Sequence, residues 1–107
     1  MSENKINLDD LTLHDNQRHH RYEFALGGGH HAIITYQMYE EAGVIVLLHT
    51  EVPPEFGGMG IANKLIHDVL EDCIARGLKI APSCPMVATY IKRHPVYQPM
   101  TVPVEDD

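Results

Sequence analysis

Apolar side chains alternate with polar or small ones twice in the first third of the chain. Tyr22, Phe24 and Leu26 stand against Arg21, Glu23 and Ala25, and Ala32, Ile34, Tyr36 and Met38 repeat the period after Gly27-Gly28-Gly29. A period of two marks a strand with one buried face, and glycines close a tight turn, so the two runs predict an antiparallel hairpin. Past the turn Glu40-Glu41-Ala42-Gly43 the alternation gives way to Val44-Ile45-Val46-Leu47-Leu48. This continuous run predicts a central strand, extending to Val52 and covered on both faces. Pro53-Pro54 ends its pairing, because proline has no N–H to offer a ladder.

The period then changes to that of a helix. Ile61, Leu65, Ile66, Val69, Leu70, Cys73 and Ile74 mark one stripe from Ile61 to Arg76, and Gly77 supplies the stop. Leu78 to Ala81 reads as a short buried strand, and a strand-helix-strand unit of this length implies a right-handed parallel crossover that lays it beside Val44–Val52. Ser83 is expected to cap and Pro85 to start a second helix, with Val87, Tyr90 and Ile91 inward, until His94-Pro95 stops it. Residues 1–15 lack clear periodicity and form an N-terminal arm that Ile6, Leu8, Leu11 and Leu13 can anchor. The order β-β-β-α-β-α gives an α+β class, with two helices against a mixed, mainly antiparallel sheet. A length of 107 residues supports one domain spanning 1–107.

Phe56-Gly57-Gly58-Met59-Gly60-Ile61-Ala62 sits where the central strand gives way to the first helix. Such a junction aims several backbone N–H groups and the positive end of a helix dipole at one point, which suits a phosphate or pyrophosphate. The first helical turn, Ile61, Ala62, Asn63 and Lys64, carries no carboxylate, whereas Asp68, Glu71 and Asp72 come later. A helix start free of its usual acids is open to an outside anion; the plainer alternative is a glycine turn that only lets strand and helix pack closely. The P-loop pattern G-x-x-x-x-G-K-S/T is absent, since Ile61-Ala62 follow Gly60, and a dinucleotide fingerprint fails on both motif and length.

The segment Pro54 to Ala62 resembles the phosphate loop of the GNAT superfamily of acetyl-CoA-dependent N-acetyltransferases, Gln/Arg-x-x-Gly-x-Gly/Ala. Gly60 and Ala62 stand on its two small positions, and Gly57 departs from it at the Gln/Arg position. The likeness runs from about Tyr22 to Tyr97 and includes Ala81-Pro82-Ser83-Cys84-Pro85 and Tyr90-Ile91-Lys92-Arg93-His94-Pro95-Val96-Tyr97. It is closest to small single-domain members. The resemblance implies that acetyl-CoA is the cofactor, held by Val52, Gly57, Gly58, Met59, Gly60, Ile61, Ala62, Asn63, Lys64 and Lys92. It also implies transfer of acetyl to an amine, with a non-catalytic acyl-CoA-binding or protein-interaction module as the alternative. Gly27-Gly28-Gly29 replaces the helices that usually lie between the first two strands and help to build the acceptor site.

Composition narrows the setting. A net charge of −7 argues against binding nucleic acid. Lys64, Arg76, Lys79, Lys92 and Arg93 nonetheless concentrate in the second half, where an anionic cofactor would need them. An acidic surface suits a cationic amine. No apolar run approaches the roughly 18 residues of a membrane span, no leader pattern appears at Met1-Ser2-Glu3-Asn4-Lys5, and Cys73 and Cys84 lack metal spacing and read as free thiols. The expectation is a cytoplasmic protein without a membrane partner.

Three residues lead the catalytic candidates. Cys84 falls just past the last strand, where parallel strands can splay to admit the pantetheine arm. It either accepts and passes on the acetyl group, helped by the N-terminus of the following helix, or packs as an inert thiol. His94 can act as a base or cap the second helix. Glu51, like Glu55, can take a proton from a bound amine or be an ordinary solvated acid, and His49 is near enough in sequence to serve the same site. Tyr90 and Tyr97 are thiolate-acid candidates, Tyr90 lying on the inward stripe. His19-His20 and His30-His31 do not suggest a metal site, because adjacent strand residues face opposite ways.

Overall fold

The computed structural model describes residues 6–104, so Met1–Lys5 of the expected arm lie outside it. Five strands form one sheet whose spatial order follows the chain: β1 His14–Asn16, β2 Arg21–Gly27, β3 His30–Tyr39, β4 Val44–Glu51 and β5 Lys79–Pro82. β1 to β4 pair antiparallel, and β5 pairs parallel to β4. The crossover between them is α1, Ile61–Ala75, and α2, Pro85–Arg93, follows β5. The hairpin, its glycine turn, the crossover and the α+β class match the expectation from sequence, and β1 is a strand beyond the expected order β-β-β-α-β-α.

The core lies between one sheet face and the two helices. Tyr22, Phe24, Ile34, Ile45 and Leu47 project from the strands to meet Ile61, Leu65, Ile66, Val69 and Leu70 of α1 and Val87 and Ile91 of α2, all buried. Each such aliphatic side chain contributes about 1.5 to 3 kcal/mol of transfer free energy. Just past the end of α1 Gly77 sits at φ +74°, a left-handed position that glycine adopts without steric cost. Ile6, Leu8, Leu11 and Leu13 of the arm are partly buried against this core, and the arm contributes β1, which the sequence pattern does not announce.

Polar ties fasten the helix layer to the first three strands. The Tyr22 hydroxyl donates to Asp72 Oδ2 at 2.7 Å and accepts from Arg76 Nη1 at 3.0 Å. The Tyr36 hydroxyl donates to Asp15 Oδ1 at 2.6 Å, and Arg76 reaches Asp15 Oδ2 at 3.1 Å. One guanidinium thus joins β1, β2 and the end of α1.

Three local expectations are corrected. The central strand is covered on one face only: Ile45 and Leu47 are buried, but Val44 and Val46 are half-buried and Leu48 is 41% exposed. Both helices pack on the other side, leaving the second face of β4, among the described residues, with only the C-terminal segment at its margin. Ser83 does not cap α2. Cys84 takes that position with extended backbone and no side-chain cap bond, while the Ser83 N–H donates to the Ala81 carbonyl. Tyr90 is only half-buried, at the margin of the core rather than within it, and its ring stacks on His94 at 4.0 Å.

Candidate active site

The glycine junction has the backbone that an anion cradle needs. A 3-10 turn, Pro54–Phe56, buries Phe56, and the first bond of α1 runs from the Lys64 N–H to the Gly60 carbonyl at 3.1 Å. The N–H groups of Ile61, Ala62 and Asn63 therefore precede the helix ladder and point out of its end. Gly58 at φ +78° and Gly60 at φ +82° hold the left-handed backbone that turns the chain into the helix. Val52, Gly57, Gly58, Gly60, Ile61, Ala62 and Asn63 line a recess of about 250 Å³ here, and no acid stands in the first turn. Met59 instead turns toward the core. Gly57 has an ordinary extended φ of −66°, but a Cβ there would sit 3.3 Å from the Pro54 carbonyl oxygen, so its departure from the family pattern removes a side chain and lets the 3-10 turn close tightly.

β4 and β5 part just before this cradle. Their ladder runs from Val44↔Lys79 to Leu47↔Pro82, after which β4 continues to Glu51 paired with β3 alone. A bulge marks the parting: Tyr36 pairs with Leu47 and Thr35 with His49, leaving Leu48 without a partner. The extra residue resets the alternation, so Thr50 rather than His49 faces inward. Thr50 meets Cys84 there, Oγ1 to Sγ at 3.3 Å, and the Cys84 N–H donates to the Leu47 carbonyl at 2.8 Å. Cys84 is only 3% exposed. The wedge thus has a closed floor and, in Leu48–Glu51, a free strand edge leading to the loop.

On the outer face of the same strand His49 Nε2 lies 3.0 Å from Glu51 Oε2, both side chains more than half exposed. Two strands away, in β2, Glu23 is buried, with Arg21 Nε at 2.6 Å and Asn16 Nδ2 at 2.9 Å. Burial alone would raise its carboxyl, but these two hydrogen bonds and the guanidinium charge outweigh it and hold the group below its ordinary range.

The basic residues distribute differently from the expectation. Lys64 Nζ pairs with Asp68 at 3.0 Å, one turn along α1, and does not line the loop recess. Lys92 borders a separate recess with Ala88, Gln98 and Thr101. Arg93, one residue on and rotated by about 100° around the helix, instead shares a recess of about 410 Å³ with Asn63, Thr89, Tyr90 and His94. Sequence spacing held the signal: Pro85, Thr89 and Arg93 recur every four residues and fall on one helix face. Thr50 carried none, because a bulge inside a continuous apolar run leaves no periodic trace.

His94 serves as a cap. Its Nδ1 lies 2.8 Å from the Tyr90 carbonyl at the end of α2, so the base proposed from sequence is occupied with the helix terminus. Tyr97 is buried and its hydroxyl donates to Glu71 Oε2 at 2.7 Å. Its phenol is pushed well above the ordinary tyrosine value, by burial first and then by the Glu71 bond. His19 closes a 3-10 turn and His20 follows at φ +56°, so this pair is not on a strand as the sequence suggested. Among the described residues no group of three or more His, Cys, Asp or Glu side chains is placed to hold a metal, and no helix is long and apolar enough to cross a membrane.

The model of the GCN5-related N-acetyl-transferase family matches residues 21–100. The chain belongs to this family. The NATD1 protein of Mus musculus is 32% identical over 85 residues, spanning 79% of this chain and 76% of the relative. That of Homo sapiens is 31% identical over 88 residues, spanning 82% and 78%. A GCN5-like protein of Staphylococcus aureus, solved in solution by NMR, superposes with a TM-score of 0.64 at 26% identity, over 90% of this chain and 92% of that one. The GCN5-related match takes in the hairpin, the glycine loop, the wedge and α2, so the elements of the candidate site lie within the shared region.

Proposed function

We propose that the protein is an acetyl-CoA-dependent N-acetyltransferase that acts by direct attack of an amine on the acetyl thioester. The observation that carries the reading is the continuity of two features: the free edge of β4 from Leu48 to Glu51 leads through the glycine loop into a carboxylate-free helix start. When bound there, acetyl-CoA supplies an acetyl group on a good leaving thiolate. The residues present fit it. The N–H groups of Ile61, Ala62 and Asn63 suit the pyrophosphate, and the β4 edge offers backbone groups to an amide-bearing arm. Arg93 and the stacked Tyr90–His94 pair form a cationic, aromatic recess beside Asn63 for the nucleotide end.

Glu51 takes the proton that the amine loses as its nitrogen bonds the acetyl carbon, and His49 orients that carboxylate. Cys84 lines the wedge without forming an acetyl-enzyme: its sulfur is enclosed and engaged with Thr50, which supports direct attack over a relay through the thiol. Incubation with acetyl-CoA and a panel of amines, followed by mass spectrometry, tests the reading. N-acetylated amine with release of free coenzyme A is expected. Binding of acetyl-CoA without turnover would instead make the chain an acyl-CoA-binding module, and acetyl found on Cys84 would establish the relay.

A further inference from the structure

The bare face of β4 and β5 carries a groove of about 650 Å³. Its walls are Val44, Val46 and Leu48 of β4, Ala81 of β5, Tyr39 of β3 and Val104 of the C-terminal segment. Among the described residues none of the side chains lining it is charged, although charged residues make up 21% of the chain. A site of this lining excludes phosphate and ammonium groups and fits an aliphatic chain.

The groove begins where the wedge ends. Leu48 is the bulge residue at which β4 and β5 part, and Ser83, which also lines the groove, directly precedes Cys84. Any acyl group at the apex of the wedge has three ways to extend. In the plane of the sheet it meets the Leu47–Pro82 ladder pair. On the helix side it meets Cys84, which is closed to solvent along with Val87. The remaining way is past Leu48 into the groove.

We propose that this groove is an acyl-chain subsite and that the protein accepts acyl-CoA thioesters several carbons longer than acetyl. The inference rests on the reading of the wedge and loop as the coenzyme A site, and it adds the class of acyl donor. The segment Thr101–Val104 forms the outer wall: Thr101 bridges to Ile80, and the Val102 N–H donates to the Ile80 carbonyl at 2.9 Å. Those bonds hold Val102 and Val104 against the strand pair and make a trough out of a flat sheet face.

Calorimetric titration of the full chain with coenzyme A, acetyl-, butyryl- and hexanoyl-CoA tests the assignment. Affinity should rise from acetyl to hexanoyl by up to about fourfold for each methylene that leaves water. The double variant Val46→Thr, Val104→Asp, which touches neither the loop nor the wedge, should lose most of that gain while its affinity for free coenzyme A stays within about twofold of the parent. Affinity that is flat or falls beyond acetyl, with coenzyme A still bound, overturns the groove assignment alone. A gain that persists in the double variant overturns it too. If coenzyme A binds in no form, the reading of the site fails and this inference fails with it.

Discussion

Thr50 Oγ1 and Cys84 Sγ lie 3.3 Å apart across the gap between β4 and the start of α2, and both residues are buried. The pair closes the wedge from below. Under direct attack the thiol has a structural part, so Cys84→Ala should keep coenzyme A affinity and retain turnover within a few-fold. It should also lower the melting temperature, because the Thr50 hydroxyl is left buried without its partner at a cost of about 1 to 3 kcal/mol. Cys84→Ser, which restores a donor and acceptor, should melt closer to the parent than Cys84→Ala. Loss of turnover in both variants with binding intact would return Cys84 to the role of acyl carrier.

Gly60 is the hinge of the anion cradle. Its φ of +82° disfavours any side chain, and a Cβ there would sit 3.4 Å from Leu8 Cδ1 of the arm. Gly60→Ala therefore carries the backbone strain and the Leu8 contact without new charge, at about 1 kcal/mol or slightly more. Gly60→Glu adds a carboxylate where an anion is expected to bind. Coenzyme A affinity should fall modestly in the first variant and be abolished in the second. Equal affinities in the two folded variants would move the phosphate site elsewhere.

The elements were legible wherever one periodicity governed a whole segment. The alternation in Tyr22–Leu26 and Ala32–Met38, the helical stripe from Ile61 to Cys73 and the glycines that bound them dictate the hairpin and crossover found in the structure. Residues whose role depends on a break in periodicity were hidden. Val44–Leu48 reads as buried on both faces because apolar character records only that a face avoids polar groups, not that anything covers it. The Leu48 bulge sends Thr50 inward and His49 outward, and no composition signals a one-residue slip. Lys92 and Arg93 are equivalent by charge and separated only by helical angle, so a charge count favours neither, whereas the four-residue spacing from Pro85 and Thr89 favours Arg93.

That angular difference is testable. Arg93→Gln should weaken coenzyme A binding, and Lys92→Gln, on a different recess, should leave it unchanged. Raising salt should weaken the parent toward the Arg93→Gln value, since exposed charges are screened over about 10 Å at 0.1 M ionic strength. Equal losses in both variants would show that a general positive field, rather than the Asn63–Arg93 recess, holds the ligand.

Stability should decline above about pH 10, the ordinary ionisation range of tyrosine. Burial first pushes the Tyr22, Tyr36 and Tyr97 phenols above that range in the folded chain, followed by hydrogen bonding to a carboxylate for Tyr36 and Tyr97 and by Cys73 and then Asp72 for Tyr22. Burial also pushes the Cys73 thiol up to about 11. Unfolded phenols and thiols lose protons first, so this contribution is complete below their unfolded values and is lost as pH rises through the folded ones. Thermal melts from pH 8 to 11.5 should show the fall, and Tyr22→Phe should flatten it while lowering stability at pH 8 by about 1.5 kcal/mol. A melting temperature constant across that range would contradict these shifts. At the acid end Glu23, held low by Arg21 and Asn16, contributes stability that is present above the ordinary glutamate value and lost as pH falls.

Glu51 is the residue on which direct attack depends, and its assignment can be separated from a merely structural role. It is 63% exposed and paired with His49 at 3.0 Å, so Glu51→Gln should fold as the parent does and bind coenzyme A unchanged. General-base catalysis contributes about a hundred- to ten-thousand-fold, and turnover should fall within that range for an alkylamine, which must shed a proton to react. A weakly basic arylamine is already neutral at pH 7 and has less need of a base at the outset, so its rate should fall much less. His49→Ala should show the same ordering with smaller losses, because the carboxylate remains and only its orientation is relaxed. Equal losses for both amines would mean that Glu51 binds or positions the acceptor without taking its proton. Unchanged rates for both would place the base elsewhere on the open face.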